Sequence, residues 1–196
     1  MNDIETDDKL LKADIIHLVE TSLDVNEENP LNIDGYERHD CSVRNGMSIT
    51  TYYKHNLLKR EVNYATPEIQ VAKFTAEHLA VVIVYRSSRE NLVVLKGKIK
   101  EMVAVEEKAI IITGNFNVCY MSHKYNQVSK ELEHVGFKQL IKDPTHIRGG
   151  HIDHVYWRKG RRISMDSTIE RYSPYYSDHD ASLVTIPSPV TVNGNN

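Results

Sequence analysis

Ala109-Ile110-Ile111-Ile112-Thr113-Gly114-Asn115-Phe116-Asn117 is an apolar, β-branched run that breaks into a glycine and two carboxamides. A run of this kind reads as a strand buried on both faces that delivers polar side chains from its end. Two later blocks have the same build: Ile152-Asp153-His154-Val155 and Ser177-Asp178-His179-Asp180. Each sets carboxylate or imidazole groups beside a strand-like stretch. An Asp and an Asp-His pair brought from separate strand ends can build a metal-assisted hydrolytic site.

Outward from these blocks, the chain alternates strands with two helices. Residues 14–20 are apolar and end in a carboxylate, Glu20. Residues 36–41 and 48–53 read as strands joined across the turn signal Arg44-Asn45-Gly46. Residues 68–74 alternate as a half-buried strand, and 79–85 are continuously apolar, as a central covered strand requires. Residues 92–105 carry Leu92, Leu95, Ile99, Met102 and Val103 at helical spacing. A second helix is expected over 127–134, stopped near Gly136, and residues 9–13 read as the end of a helix. Residues 154–157 and 181–186 are expected to close the sheets. This alternation predicts an α/β layered fold rather than a bundle or sandwich. One domain over residues 1–186 is expected, followed by a Pro/Gly/Asn-rich disordered tail at 187–196.

Composition places the chain in the globular class: 196 residues, 40% hydrophobic and 26% charged. No apolar run approaches the roughly 18–20 residues that a membrane span needs. The first residues lack the basic and apolar regions of a secretory signal, and the two cysteines, Cys41 and Cys119, make no disulfide framework. An intracellular location, nuclear or cytoplasmic, follows as the expectation. Net charge is −3, but the charge is unevenly spread. Acids crowd the first thirty positions, and Arg148, Arg158, Lys159, Arg161 and Arg162 cluster near the polar blocks. A basic rim beside carboxylates suits a polyanionic substrate, although the Lys159-Gly160 stretch also suits a solvated hairpin turn.

In order and spacing the three blocks resemble the endonuclease/exonuclease/phosphatase superfamily, over about residues 9–186. That superfamily includes apurinic-site endonucleases, DNase I and the endonucleases of non-LTR retrotransposons. The run Pro144-Thr145-His146-Ile147-Arg148-Gly149-Gly150 is similar to mobile-element endonuclease domains in particular. The resemblance implies a DNase I-like four-layer α/β sandwich, two packed β-sheets flanked by helices, with the site where loops of both sheets meet. In the family another strand, bearing an Asn near the metal, precedes the helix that ends here near Ala13. The expectation is therefore an N-terminally truncated copy.

By the same resemblance, His179 is the imidazole beside the scissile phosphate and Asp153 the carboxylate that holds its other nitrogen. Glu20, in Glu20-Thr21, matches the metal-ligand position, and Asp178 is a second carboxylate near the metal. A hard cation, Mg²⁺ or Mn²⁺, is the implied cofactor, for which one or two protein carboxylates suffice. Asn117 matches the family's amide at the phosphate, and Tyr85 a hydroxyl donor to phosphate. Arg86, Arg148 and Arg158 are the candidate substrate-binding cations. The family's Gly-Asp-Phe-Asn reads Gly-Asn-Phe-Asn here, so Asn115 stands where an acid orients the attacking water. An amide cannot take up a proton, and loss of a positioned base typically costs on the order of 10²–10⁴ in rate.

The implied activity is a divalent-metal-dependent phosphodiester hydrolase of endonuclease type, retroelement-derived and weakened by Asn115, with nucleic acid, DNA foremost, as partner and no membrane. Two alternatives stand beside it: a non-catalytic nucleic-acid-binding domain, and a decayed nuclease copy. Phosphoinositide and sphingolipid hydrolases share the scaffold, so the motifs alone do not separate those substrates. Cys119, His123, His146, His151 and His154 lack a CxxC or HxxxH framework, which argues against structural zinc.

Overall fold

A computed structural model describes residues 4–21, 32–41, 48–88, 92–161, 163 and 166–187. The expected turn at 44–46, Arg162 and all of the expected tail but residue 187 lie outside them. The described elements are β1 (Ile15–Thr21), β2 (Tyr36–Cys41), β3 (Ser48–Lys54), β4 (Lys59–Ala65), β5 (Ile69–Thr75), β6 (Leu79–Arg86), α1 (Leu92–Val103), β7 (Ala109–Asn115), α2 (His123–His134), β8 (Lys138–Gln139), β9 (Asp153–Arg158), β10 (Thr168–Tyr172) and β11 (Ala181–Thr185).

The main sheet has six strands in the order β4-β5-β6-β7-β9-β8. Among the described strands of this sheet only β6 and β7 run parallel. A parallel pair needs a crossover, which α1 supplies. One face of this sheet (Val71, Val82, Val84, Ile110, Ile112, Tyr156) packs against Leu95, Ile99, Met102 and Val103 of α1 and Val128 and Leu132 of α2. The other face carries Ala72, Phe74, Val81, Ile83 and Tyr85, which meet Cys41, Ile49 and Tyr53 of a three-stranded sheet ordered β1-β3-β2. Further along that face, Ile111, Val155 and Trp157 pack against Ile169 and Val184 of a β10-β11 pair. Covering on both faces explains why β6 and β7 are continuously apolar.

The fold is thus layered α/β, as the sequence predicts, with two refinements. Among the described residues the second sheet comes in two pieces, one of three strands and one of two. The expected helix at 9–13 is a single 3-10 turn, Leu10–Lys12, preceded by another at Ile4–Thr6. Asp7 Oδ1 accepts the amides of Lys9 and Leu10, and Ala13 is already extended. These turns cover the outer face of the three-stranded sheet, where Leu10 and Leu11 pack on Ile16 and Tyr52. They form the fourth layer without an α-helix. No described helix is long and apolar enough to cross a membrane.

Register builds the site. Tyr85 of β6 is the partner of Asn115 in β7, and Asn115 is the partner of Asp153 in β9. Cross-strand partners project to one face, so three predicted residues stand in a row at one end of the sheet, on the face turned toward the smaller sheets. Gly114 makes this close pairing possible. Its φ is +136°, and a Cβ there would sit 1.9 Å from the Val84 carbonyl oxygen, so only glycine fits.

Candidate active site

The row Tyr85, Asn115, Asp153 is met from the second layer by Glu20 and His179. Glu20 lies where the β1–β3 register shifts, between Val19 and Thr21, and has φ 59°. A bulge with left-handed backbone at a non-glycine residue is strained, and such strain needs support from its surroundings. The support is visible: Asn115 Nδ2 donates to Glu20 Oε2 at 3.1 Å and Asn117 Nδ2 to Oε1 at 3.4 Å. The Tyr85 hydroxyl also bonds Glu20, and burial together with that carboxylate pushes the phenol above its usual range.

His179 precedes β11 and bridges as an isolated antiparallel partner to His146. Its Nδ1 lies 2.8 Å from Asp153 Oδ2 and donates to it, since an ionised carboxylate only accepts. Nε2 lies on the side of Glu20, 3.8 Å from its Oε2. The Asp153 hydrogen bond raises the His179 pKa, outweighing partial burial. A carboxylate-held imidazole with a free Nε2 can hand over or hold a proton at that atom.

Asp153 is itself held. Thr145 Oγ1 donates to its Oδ2 at 2.8 Å and accepts the Asp153 and Ile152 amides. Thr145 is buried in the loop before β9, and no sequence motif marks it as a partner of Asp153. A hydroxyl eight residues before the carboxylate has no signal in spacing, because the intervening turn that brings it back is irregular.

The arginines separate sharply. Arg86 is buried, and its guanidinium donates to the carbonyls of Phe116 and Asn117 at 2.7 Å each. It shapes the loop that carries Asn117, whose φ is 49°, and does not project into the cleft as a free cation. Asn117 closes that loop: its amide N–H donates to Asn115 Oδ1 and its Nδ2 to the Arg86 carbonyl. Arg158 is at the far end of β9, paired with Ile110 where Asp153 pairs with Asn115. Its guanidinium donates to the carbonyls of Val103, Glu106 and Val135 and stacks 4.8 Å from the Phe137 ring. The placement of Arg158 at the substrate is therefore corrected: it caps helix ends, where unpaired carbonyls attract a cation. Arg148 is exposed on the turn beside His146.

Asp178 has a side chain 63% exposed, and His146 Nε2 lies 3.2 Å from its Oδ2. Its backbone carbonyl accepts the Ile147 amide. Of the histidines weighed as zinc ligands, His154 is fully buried, donates Nε2–H to the Val118 carbonyl and accepts from Gln139 at Nδ1. His151 is buried with its ring stacked between Tyr120 and His154. These are core groups. Side chains of residues 123–126, His123 included, are outside the description. Among the described residues, His146, Asp178 and His179 form one cluster with ligand atoms within 4.8 Å of one another. The carboxylate oxygens of Glu20 suit a hard cation that keeps most of its waters.

No protein-family model and no curated protein sequence matches the chain. Solved structures do. An AP endonuclease from Archaeoglobus fulgidus superposes with a TM-score of 0.64 at 14% identity, covering 92% of this chain and 91% of the other. TDP2 from D. rerio, complexed with a single-strand DNA product, gives 0.63 at 14% identity over 92% and 88%. The endonuclease domain of TRAS1, a telomere-specific non-LTR retrotransposon, gives 0.59 at 14% identity over 79% of each chain. With β6–β7 at its centre, polar loops at one sheet end and layers that match these proteins, the chain has the endonuclease/exonuclease/phosphatase fold.

Proposed function

We propose that this chain is a divalent-metal-dependent phosphodiester hydrolase of endonuclease type, with nucleic acid as substrate and turnover weakened by Asn115. The observation that carries the reading is the Asp153–His179 pair, 2.8 Å apart, with His179 Nε2 turned toward Glu20. That arrangement needs a deliberate convergence of two sheets, and core packing alone does not call for it.

The residues present fit Mg²⁺ or Mn²⁺. Glu20 offers two carboxylate oxygens whose amide partners leave further lone pairs for one cation, with Asp178 as a second carboxylate nearby in sequence to His179. Bound there, the ion would neutralise charge on the phosphate. The chain's own groups do the rest. His179, whose pKa the hydrogen bond to Asp153 raises, turns its Nε2 toward a phosphate oxygen. Tyr85 and Asn117 orient Glu20 through the donors they give it. Arg148, exposed on its turn, supplies charge to the substrate backbone. Asn115 orients but takes no proton, so the water is not activated by a base at that position.

A retroelement origin is supported by the Pro144-Thr145-His146-Ile147 run and by the likeness to the TRAS1 domain. A second reading, a nucleic-acid-binding domain without cleavage, is favoured by one observation: Asn115 occupies Glu20 with a neutral donor and needs no cation to do so. Supercoiled plasmid incubated with the chain in Mg²⁺, Mn²⁺ or EDTA separates the two. Metal-dependent nicking that His179→Ala removes supports the hydrolase. Salt-sensitive binding with no nicking in any metal supports the binding domain.

A further inference from the structure

The cluster of His146, Asp178 and His179 invites a cation, but its hydrogen bonds say otherwise. The backbone N–H of Arg148 donates to His146 Nδ1 at 3.0 Å. That nitrogen therefore carries a lone pair, and in the neutral ring the proton sits on Nε2. Nε2 lies 3.2 Å from Asp178 Oδ2. The His146 nitrogen nearest the carboxylate thus carries an N–H in the neutral ring, not a lone pair awaiting a metal. For Nε2 to bind a cation, the proton would have to move to Nδ1, against the Arg148 N–H.

The geometry points to His146 as a positioning residue that holds Asp178. Thr145 and His146 are adjacent, and each stands at one carboxylate of the site: Thr145 Oγ1 donates to Asp153 Oδ2, and His146 Nε2 lies 3.2 Å from Asp178 Oδ2. Backbone pairing makes the arrangement rigid. Ile147 N–H donates to the Asp178 carbonyl and Asp180 N–H to the Thr145 carbonyl, so the loop before β9 is zipped to the loop before β11. The His146 ring, 14% exposed, packs edge-on against the His179 ring at 4.7 Å. Asp178 has a side chain 63% exposed and would otherwise sample several rotamers. Two imidazole–carboxylate pairs then lie crosswise at the cleft. Asp153 fixes His179, and His146 fixes Asp178.

The functional consequence rests on the hydrolase reading, whereas the pairing itself does not. Side-chain ³J couplings of Asp178 report its rotamer directly, with no need for turnover. Wild type should show one dominant χ1 rotamer. His146→Phe, which keeps a ring against His179 but has no donor, should average it, and His146→Gln, which restores an N–H near Nε2, should bring the single rotamer back. Histidine ¹⁵N shifts should show His146 as the Nε2–H tautomer, unchanged when Zn²⁺ is added. Averaged couplings in wild type, couplings unaffected by His146→Phe, or a zinc-bound Nε2 would overturn the proposal. In a nicking assay His146→Phe should raise the Mg²⁺ concentration for half-maximal rate by roughly 10–100-fold, as loss of an outer hydrogen-bond partner does, and His146→Gln should recover most of it. Absence of nicking in every variant, with Asp178 ordered as described, counts against the hydrolase reading and leaves the pairing supported.

Discussion

Asn115 donates its side-chain amide to Glu20 Oε2 at 3.1 Å, tying the main sheet to the bulge at the end of β1. An aspartate at position 115 could only accept, and would face the Glu20 carboxylate with like charge. Asn115→Asp should therefore be less stable than the parent in EDTA, by about 1–3 kcal/mol for a lost hydrogen bond with an unpaired partner. Mg²⁺ should return most of that loss, because a cation between the two acids replaces the amide proton. Urea unfolding in EDTA and in Mg²⁺ measures both quantities. Equal midpoints for variant and parent in EDTA would argue against the contact.

The Asp153–His179 pair has a pH signature. The hydrogen bond that His179 donates to Asp153 raises the His179 pKa above its ordinary 6.5. A raised basic group contributes stability that is fully present below pH 6.5 and is lost as pH climbs through the folded-state value. The His179 ring proton in an NMR titration should accordingly move at a pH above 6.5, and Asp153→Asn should bring that midpoint down. A His179 midpoint indifferent to Asp153→Asn would show that the carboxylate does not hold it.

His154 acts in the opposite sense. Burial pushes its pKa from 6.5 to about 3, so the folded state binds fewer protons than the unfolded chain between those values. Stability should fall as pH drops below about 6.5, by up to ~1.4 kcal/mol per pH unit from this group, and level off near the folded value. His154→Phe, which keeps a ring between His151 and Tyr156, should flatten the slope of urea midpoint against pH even though neutral-pH stability drops.

Three arginines should give three phenotypes. Arg86→Met leaves one buried and one part-buried loop carbonyl without their donor and should cost about 2–4 kcal/mol. Arg158→Met should cost stability at the helix ends and leave DNA affinity alone. Arg148→Glu should leave the unfolding midpoint nearly unchanged while weakening DNA binding and lowering the salt slope by about one. Electrophoretic mobility shifts at several salt concentrations, beside urea melts, separate the three. Weaker DNA binding by Arg158→Met at full stability would return Arg158 to the site.

What the sequence made legible follows from how local each signal is. Residues 109–115 announce a buried strand because covering on both faces demands an unbroken apolar run. Gly114 beside Asn115 likewise reports a local backbone approach. The edge strand β4, Lys59–Ala65, was not legible: a strand with one open edge and solvent on it carries Lys, Arg, Glu and Asn without a clear period. Arg158 was misread because charge clusters in sequence ignore strand direction. Five residues of extended chain carry it from Asp153 to the opposite end of β9. Thr145 and His146 were visible as residues and not as partners, since their contacts run between two loops.

The central claim is that Asp153, His179 and Glu20 stand together as hydrolytic groups and that Asn115 puts an amide where they need an acid. Mg²⁺-dependent nicking of supercoiled plasmid by Asn115→Asp, alone and with His179→Ala, tests it most directly. The account predicts that Asn115→Asp raises the nicking rate by roughly 10²-fold or more over the parent, and that His179→Ala in the same chain abolishes the gain, because both groups serve one step. A folded Asn115→Asp chain that binds Mg²⁺ yet nicks no faster than the parent would contradict it.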